Sequence, residues 1–312
     1  VEARIPNWPG PARTLLRVAY EEAWLPLRCG RFDALYCVAD LAPVKCPIPK
    51  IVALRNFNIY DRRFYDTART RALFRLVRWG LRDAAAVVTP SRAAAHAIGP
   101  LVGVDPDAIE VVHHGIAAEA FDAGRADVPT DANYLFLPAN LERHKNIELL
   151  FDVVGRLDDP TLEVWSAGGD RLDPAWGEHL RRTARERGLG ARVRFLGPVP
   201  YERVLGYYRG ARALVFPSQL ETFGHPILES MLAGTPVIAS DLPSFRELAG
   251  DVALYAPADD AAAFAARVNE TVRDRAATAA RVARGRAIAA GFTWQASTDR
   301  LCRVIHRALR AA

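Results

Sequence analysis

Short apolar runs alternate with longer amphipathic stretches along most of the chain. Ala34 to Val38, Ile51 to Leu54, Ala86 to Thr89 and Ile109 to Val112 read as buried strands. Their apolar and β-branched residues follow one another without the alternation of a half-exposed strand. Leu15 to Leu27, Thr67 to Leu81 and Arg92 to Ile98 carry apolar residues at helical spacing instead. From Ala117 to Asp131 the periodicity stops and Ala, Asp, Gly and Pro dominate, so an interdomain linker is expected there. A second alternation follows. Strands are expected at Tyr134 to Leu137, Leu162 to Ser166, Val193 to Leu196, Ala213 to Phe216 and Val237 to Ala239. Helices are expected at Ile147 to Arg156, Trp176 to Arg187, Tyr201 to Tyr208 and Ile227 to Ala233. Ala261 to Ala289 and Trp294 to Ala312 read as mostly helical. Strands separated by helix-length segments imply parallel sheets with crossover helices, one in each half, the second half being the more complete.

Composition narrows the class. Of 312 residues, 50% are hydrophobic and 25% charged, enough for two buried cores and too apolar for disorder. No apolar run reaches the roughly 18 residues of a membrane-spanning helix. The stretch Val1 to Pro11 has no charged-then-apolar secretory pattern. Cys29, Cys37, Cys46 and Cys302 form no C-x-x-C pair and have no His cluster beside them. They are expected to be buried reduced thiols in a cytoplasmic protein, not a zinc site or a disulfide framework. A net charge of +5 is mild and gives no reason to expect a nucleic-acid partner. Arginine supplies nearly all the positive charge, which leaves Lys45, Lys50 and Lys145 as positions to check.

The chemistry concentrates between Phe216 and Asp241. A strand ends near Phe216, a loop carries Glu221, Phe223, Gly224 and His225, and Pro226 stands where a helix would begin. Gly234 is placed to end that helix. Gly224 lets the backbone approach a ligand closely. Amide donors of the first helical turn, with the helix dipole, suit an anion such as a diphosphate. Glu221 before the helix and Glu229 within it suit hydroxyl groups, one on a sugar and one on a ribose. The alternative is a plain strand–loop–helix with two surface glutamates.

As a string, these residues resemble the retaining glycosyltransferases of family 4. The match is an E-x7-E pair at Glu221 and Glu229 in a Glu-x-Phe-Gly context, followed by Gly234, Pro236 and Val237. The resemblance implies an α/β GT-B fold of two Rossmann-like domains facing a cleft. It implies that Glu221 contacts the donor sugar and that Thr222, Phe223, Gly224, His225, Pro226 and Ile227 hold sugar and phosphate. Glu229 would bind the ribose. A second stretch, Tyr134 to Leu150, resembles the family's strand, loop and Lys-Asn turn into a helix. Lys145 would then neutralise the departing diphosphate, as that chemistry requires. The family's arginine five residues earlier is Asn140 here, with Arg143 nearby as a substitute. Gly168 after a strand, Val199 in Phe195 to Val199, and Phe292 to Gln295 also resemble family segments. They would admit the nucleotide, meet its base and start the last helix.

The first half resembles the family only loosely. No strand, Gly-rich loop and long helix precede Leu15, so the N-terminal domain is expected to be incomplete, either trimmed or reduced in nature. The expected division is 1–121 for the acceptor side, 122–292 for the donor side and 293–312 for a helix returning to the first domain. Asn56 is the catalytic candidate at a strand end, and His113 and His114 precede a turn at Gly115. Arg71, Arg75, Arg78 and Arg82 share one face of the helix expected over 67–83. That face is either solvated or docked on an anionic membrane, which would put the protein at the inner face of the cell membrane. Asp105-Pro-Asp107 matches a metal-binding Asp-x-Asp but reads as a turn. Neither a metal nor a cofactor is expected. The expected function is transfer of a hexosyl group from a UDP- or GDP-linked donor to a glycan or lipid-linked acceptor, in polysaccharide or glycoconjugate synthesis. The alternatives are a nucleotide-sugar-binding protein without turnover, and a phosphorylase or epimerase of the same fold. A dinucleotide-dependent dehydrogenase is disfavoured, since no G-x-G-x-x-G follows the first strand of either half.

Overall fold

The computed structural model of the chain describes residues 16, 18–117 and 132–311. It divides into two compact units, Val1–Val112 with Asp299–Ala312, and His113–Thr298. The expected linker lies, from residue 118 to 131, outside the described residues.

In the first unit, a five-residue π-helical segment Tyr20–Trp24 leads into α1 (Leu25–Cys29). The expected continuous helix to Leu27 is therefore broken in register and runs two residues further. Pro26, second in α1, has no N–H to carry an unbroken ladder through it. There follow β1 (Leu35–Cys37), β2 (Lys50–Ala53), α2 (Arg62–Tyr65), α3 (Ala68–Gly80), β3 (Ala84–Thr89), α4 (Arg92–Val102) and β4 (Glu110–Val111). The strands form one parallel sheet in the order β1-β2-β3-β4.

Residues in and just after β2 alternate between two cores, as period-two side chains must. Val52 and Leu54 pack with Val77 and Ile98, while Ile51 and Ala53 pack with Val304 and Ala308. Lys50 is a buried strand lysine whose ammonium donates to the Pro43 carbonyl at 2.6 Å and pairs with Asp83. Cys29 and Cys37 are buried, but Cys302 is exposed, so the expectation of buried thiols fails there. Cys302 sits on the solvent side of an amphipathic helix whose inner side carries Val304 and Ala308. In α3, Val77 is buried while Arg71, Arg75 and Arg78 are exposed, so part of its apolar side is taken up by the unit's own core.

The second unit runs β5 (Tyr134–Pro138), α5 (Leu149–Val154), β6 (Glu163–Ala167), α6 (Pro174–Glu186), β7 (Val193–Gly197), α7 (Tyr201–Gly210) and β8 (Ala213–Phe216). Then come α8 (His225–Ala233), β9 (Val237–Ser240), α9 (Pro243–Ala249), β10 (Leu254–Ala256), α10 (Ala261–Arg273) and α11 (Arg275–Ala289), and the last helix, α12 (Trp294–Ala311), starts in this unit and belongs to the first from Asp299 onward. The six strands are parallel in the order β10-β9-β8-β5-β6-β7. Tyr134 to Leu137 of the central β5 are all fully buried, which a parallel strand covered on both faces requires. Tyr134 stacks on Trp165 at 4.1 Å, and Phe136 meets Tyr208 edge-on at 5.1 Å.

The single helical stretch expected from Ala261 to Ala289 is two helices. Asp274 ends the first and caps the second, accepting from the Ala277 N–H at 2.9 Å. His113 to Ile116 belong to this unit for a visible reason. The Ile116 N–H donates to the Phe292 carbonyl at 2.8 Å. Gly115 lies so close to Trp294 that a Cβ there would come within 2.2 Å of its backbone nitrogen.

Candidate functional site

In an open parallel sheet, ligands bind beyond the carboxyl ends of the strands, where the strand order reverses. Here the chain leaves β5 toward β6 and β7, then returns to pair β8 on the other side of β5. The reversal therefore lies between β5 and β8, and the two motif-bearing loops follow those two strands.

The loop after β5 turns through Arg143–Lys145 and places Asn146 in the left-handed region at φ 56°. Asn146 Nδ2 donates to the carbonyls of Pro217 and Ala258, at 3.2 and 2.6 Å. A side chain that tolerates this backbone also ties two loops together, which explains a Lys-Asn turn physically. Asn146→Ala should lower stability by about 2 kcal/mol from strain and two lost hydrogen bonds. Asn146→Gly, which keeps the backbone, should lose less; equal losses in denaturant unfolding would refute this account.

That turn delivers Lys145 to Glu221, which follows β8. The Lys145 ammonium and the Glu221 carboxylate form a direct ion pair, with side chains only 17% and 16% exposed. Ser218 Oγ donates to the same carboxylate at 3.1 Å, and Ser244 Oγ donates to the Glu221 carbonyl at 3.0 Å. The Gln219 N–H donates to the His144 carbonyl at 2.8 Å, and Ser218 Oγ lies 3.2 Å from the same oxygen. The two loops are thus sewn together on either side of the pair.

Gly224, at φ 125° and ψ 54°, introduces α8, and Pro226 is its second residue rather than its first. No side chain caps this N-terminus. Pro226 has no amide hydrogen, and the Ile227 N–H donates to the Gly224 carbonyl at 3.0 Å. The anion donors of this turn are therefore fewer than an uncapped helix usually offers. Ile227 and Phe223 are buried and face the core. Phe223 packs in an aromatic group with His113, His114, His225 and Phe292, at centroid distances between 5.0 and 6.3 Å. Thr222 is half-buried in the loop.

Beside α8 lies a cavity of about 590 Å³. Of the expected donor residues, Asn140, Gly168, Val199, His225, Pro226 and Glu229 line it. Arg143, Lys145, Glu221, Thr222, Phe223, Gly224 and Ile227 are not in that lining. Arg143 is turned onto Asp173 at 3.2 Å and lies 4.3 Å over the Trp176 ring. The floor is a meeting of loops. Asn140 Oδ1 accepts from the Gly169 N–H at 3.1 Å, and the Leu141 N–H donates to the Gly169 carbonyl at 2.9 Å. A Cβ on Gly168 would fall 2.0 Å from the Ala139 carbonyl oxygen. Asn140 thus holds the glycine loop.

Sequence reasoning missed Glu142, Arg171, Leu172 and Tyr201 in the same lining. Their positions at strand ends and at the start of α7 were the available signal. Glu229 accepts from the Tyr201 hydroxyl at 3.0 Å and from the Tyr208 hydroxyl at 2.7 Å. Burial pushes the Glu229 carboxyl above the usual carboxylate range, and these two donors oppose the rise.

In the first unit, Asn56 is exposed just after β2, with its Nδ2 donating to Asp40 Oδ2 at 2.9 Å. Asp40 is 1% exposed, sits at φ 60°, and also accepts from the Arg55 N–H and the Tyr60 hydroxyl. Burial raises its carboxyl, while its hydrogen bonds oppose the rise. Asp40 is a buried anchor for Asn56 that no motif announced. Asp105 accepts from the Asp107 N–H at 3.0 Å, closing a 3-10 turn. Among the described residues no group of three His, Cys, Asp or Glu is arranged to hold a metal.

Comparison with known proteins places this geometry. Anabaena HepE matches over 96% of this chain and 84% of its own, with TM-score 0.80 at 18% identity. That likeness, with parallel sheets in both units, gives an α/β GT-B fold. D-inositol 3-phosphate glycosyltransferase 1 of Catenulispora acidiphila is 29% identical over 67% of this chain and 54% of its own length. O-antigen chain mannosyltransferase B of Escherichia coli is 40% identical over 34% of this chain and 28% of its own. The chain spans about half the length, or less, of these two curated relatives. Residues 3–120 match the Glycosyltransferase Family 4 model. Residues 120–287 match the model for glycosyl transferases group 1, a stretch that holds both motif loops and the cavity. Matched by that model over more than half its length, the chain belongs to the group 1 glycosyl transferases.

Proposed function

We propose that the chain transfers a hexosyl group from a UDP- or GDP-linked sugar to an acceptor hydroxyl, with retention of configuration, as in family 4. The observation that carries the reading is the meeting of Lys145 and Glu221, 76 residues apart in sequence, at the strand-order reversal beside the cavity that contains Glu229. An ammonium within reach of a departing diphosphate stabilises the charge that builds there. A carboxylate beside it accepts from a sugar hydroxyl, and Glu229 accepts from the ribose. Solved structures of Anabaena HepE contain UDP with glucose, and UDP-glucose, which supports a nucleotide-sugar in this fold. The acceptor is a glycan or a lipid-linked species, and the product belongs to a cell-surface polysaccharide or glycoconjugate.

Calorimetric titration with UDP, GDP and ADP tests the donor site. One nucleotide should bind selectively, and Glu229→Ala should weaken it by about tenfold or more through lost ribose hydrogen bonds. Binding of none would overturn the reading. Product anomers resolved by NMR test retention, and an inverted product refutes it. A chelator should leave turnover unchanged; loss of activity that added divalent metal restores would refute metal independence. Nucleotide binding with no transfer to any acceptor would favour the second reading, a donor-binding protein.

A further inference from the structure

Glu229 sits on α8, and both of its oxygens already have a donor. Tyr208 and Tyr201, seven residues apart, lie on one side of α7 and reach separate oxygens, Oε2 and Oε1. Their surroundings differ. Tyr208 is fully buried, and its ring packs edge-on against Phe136. Its backbone carbonyl accepts from Thr235 Oγ1 at 2.6 Å, so its position is fixed from both ends. Tyr201 is 44% exposed, is the first residue of α7, and lines the 590 Å³ cavity. One donor is locked into the core, and the other stands where a ligand enters.

We propose that the two tyrosines divide the carboxylate between them: Tyr208 fixes one oxygen of Glu229 permanently, and Tyr201 holds the other only until a ribose hydroxyl replaces it. The inference rests on reading Glu229 as the ribose acceptor. Tyr208 is then a positioning residue, acting through Glu229. Tyr201 is an exchangeable stand-in that keeps a buried carboxylate hydrogen-bonded while the site is empty. An uncompensated carboxylate in this position would take up a proton and become a weaker acceptor.

The charged and titratable groups around Glu229 are few. His225 lies one turn earlier on α8, and Glu142 and Arg171 line the same cavity. From α11, Arg286 reaches the Ala233 carbonyl at the far end of α8. On the side of α9, Arg246 pairs with Asp241 and Glu247 with His113. The two hydroxyls are thus the groups in direct contact that favour the ionised form.

The sign follows. Nucleotide binding needs the ionised carboxylate, so affinity should rise with pH through the Glu229 pKa. Tyr208→Phe removes a donor that lowers that pKa, so the rise should move to higher pH. The test is the Kd for UDP and GDP on the intact chain, by calorimetry, between about pH 5 and 9. Tyr208→Phe should shift the midpoint up by about one unit, which is a loss of about tenfold below the midpoint. Tyr201→Phe should bind as tightly as the unaltered chain, or more tightly, at the alkaline end. Glu229→Gln should bind weakly with a flat profile, which checks the titrating group even if Tyr208→Phe folds poorly. A Tyr208→Phe curve that coincides with the unaltered one overturns the inference, as does any loss of affinity in Tyr201→Phe at the alkaline end, where Glu229 is ionised with or without that hydroxyl. Failure of the unaltered chain to bind either nucleotide overturns the donor reading and this inference with it.

Discussion

Lys145→Ala should lower the transfer rate by about two to three orders of magnitude, the usual loss when one preorganised charge partner of a developing anion is removed. The ammonium is the group that the β5 loop brings to the β8 loop, and its partner Glu221 is also the sugar-contact candidate. One substitution therefore removes the counter-charge for the leaving group and frees the carboxylate that should hold the sugar. Both side chains are mostly shielded from solvent, so some stability is lost as well, about 1–3 kcal/mol. The rate and the stability are separable. Single-turnover rates measured well below the unfolding midpoint should keep the full deficit, and Lys145→Arg should recover part of it. A Lys145→Ala variant that turns over within about threefold of the parent would remove Lys145 from the mechanism.

Gly168→Ala should be the most damaging single-methyl change in the donor unit. The added carbon would fall 2.0 Å from the Ala139 carbonyl oxygen and 2.7 Å from the Asn140 nitrogen. Both obstacles are backbone, so no rotamer relieves them. The loops after β5 and β6 would have to part, breaking the Asn140–Gly169 and Leu141–Gly169 hydrogen bonds that floor the cavity. The expected loss is about 3 kcal/mol, the upper end for overpacking, with nucleotide binding abolished. Gly169→Ala is the control, because its Cβ would meet only a ring carbon of Pro198 at 3.4 Å. Comparable unfolding midpoints for the two variants would show that the close approach carries no such weight.

The donor half was the more legible part of the sequence because its constraints are local. The buried runs of β5 and β8, Gly224 and Pro226 at a helix start, and Gly234 at its end each act within a few residues. Two short elements of that half were not read. The seven-residue α9 and three-residue β10 are too brief to show a period, although Pro243 marks the start of α9. The break at Asp274 was hidden by alanine and arginine on both sides, which favour helix whichever way the chain runs. The arrangement of Glu229 with Tyr201 and Tyr208 exists only after two helices pack. Asp40 was illegible for a similar reason. Its partners are 15 to 20 residues away, and a lone aspartate after a strand looks like an ordinary turn residue.

Helix α12 has a consequence for how this protein is made. Val304 and Ala308 complete one face of the β1–β4 sheet, against Ile51, Ala53 and Val88. A ribosome releases those strands long before it reaches that helix. At about 5–20 residues per second, the intervening stretch takes roughly 10–40 s to synthesise. For that interval the nascent first half presents an uncovered apolar sheet face, while the second half gains its own core as it emerges. The order of maturation is therefore the reverse of the order of translation. A released chain ending at Thr298 should carry a protease-resistant second half and a first half that is still digestible.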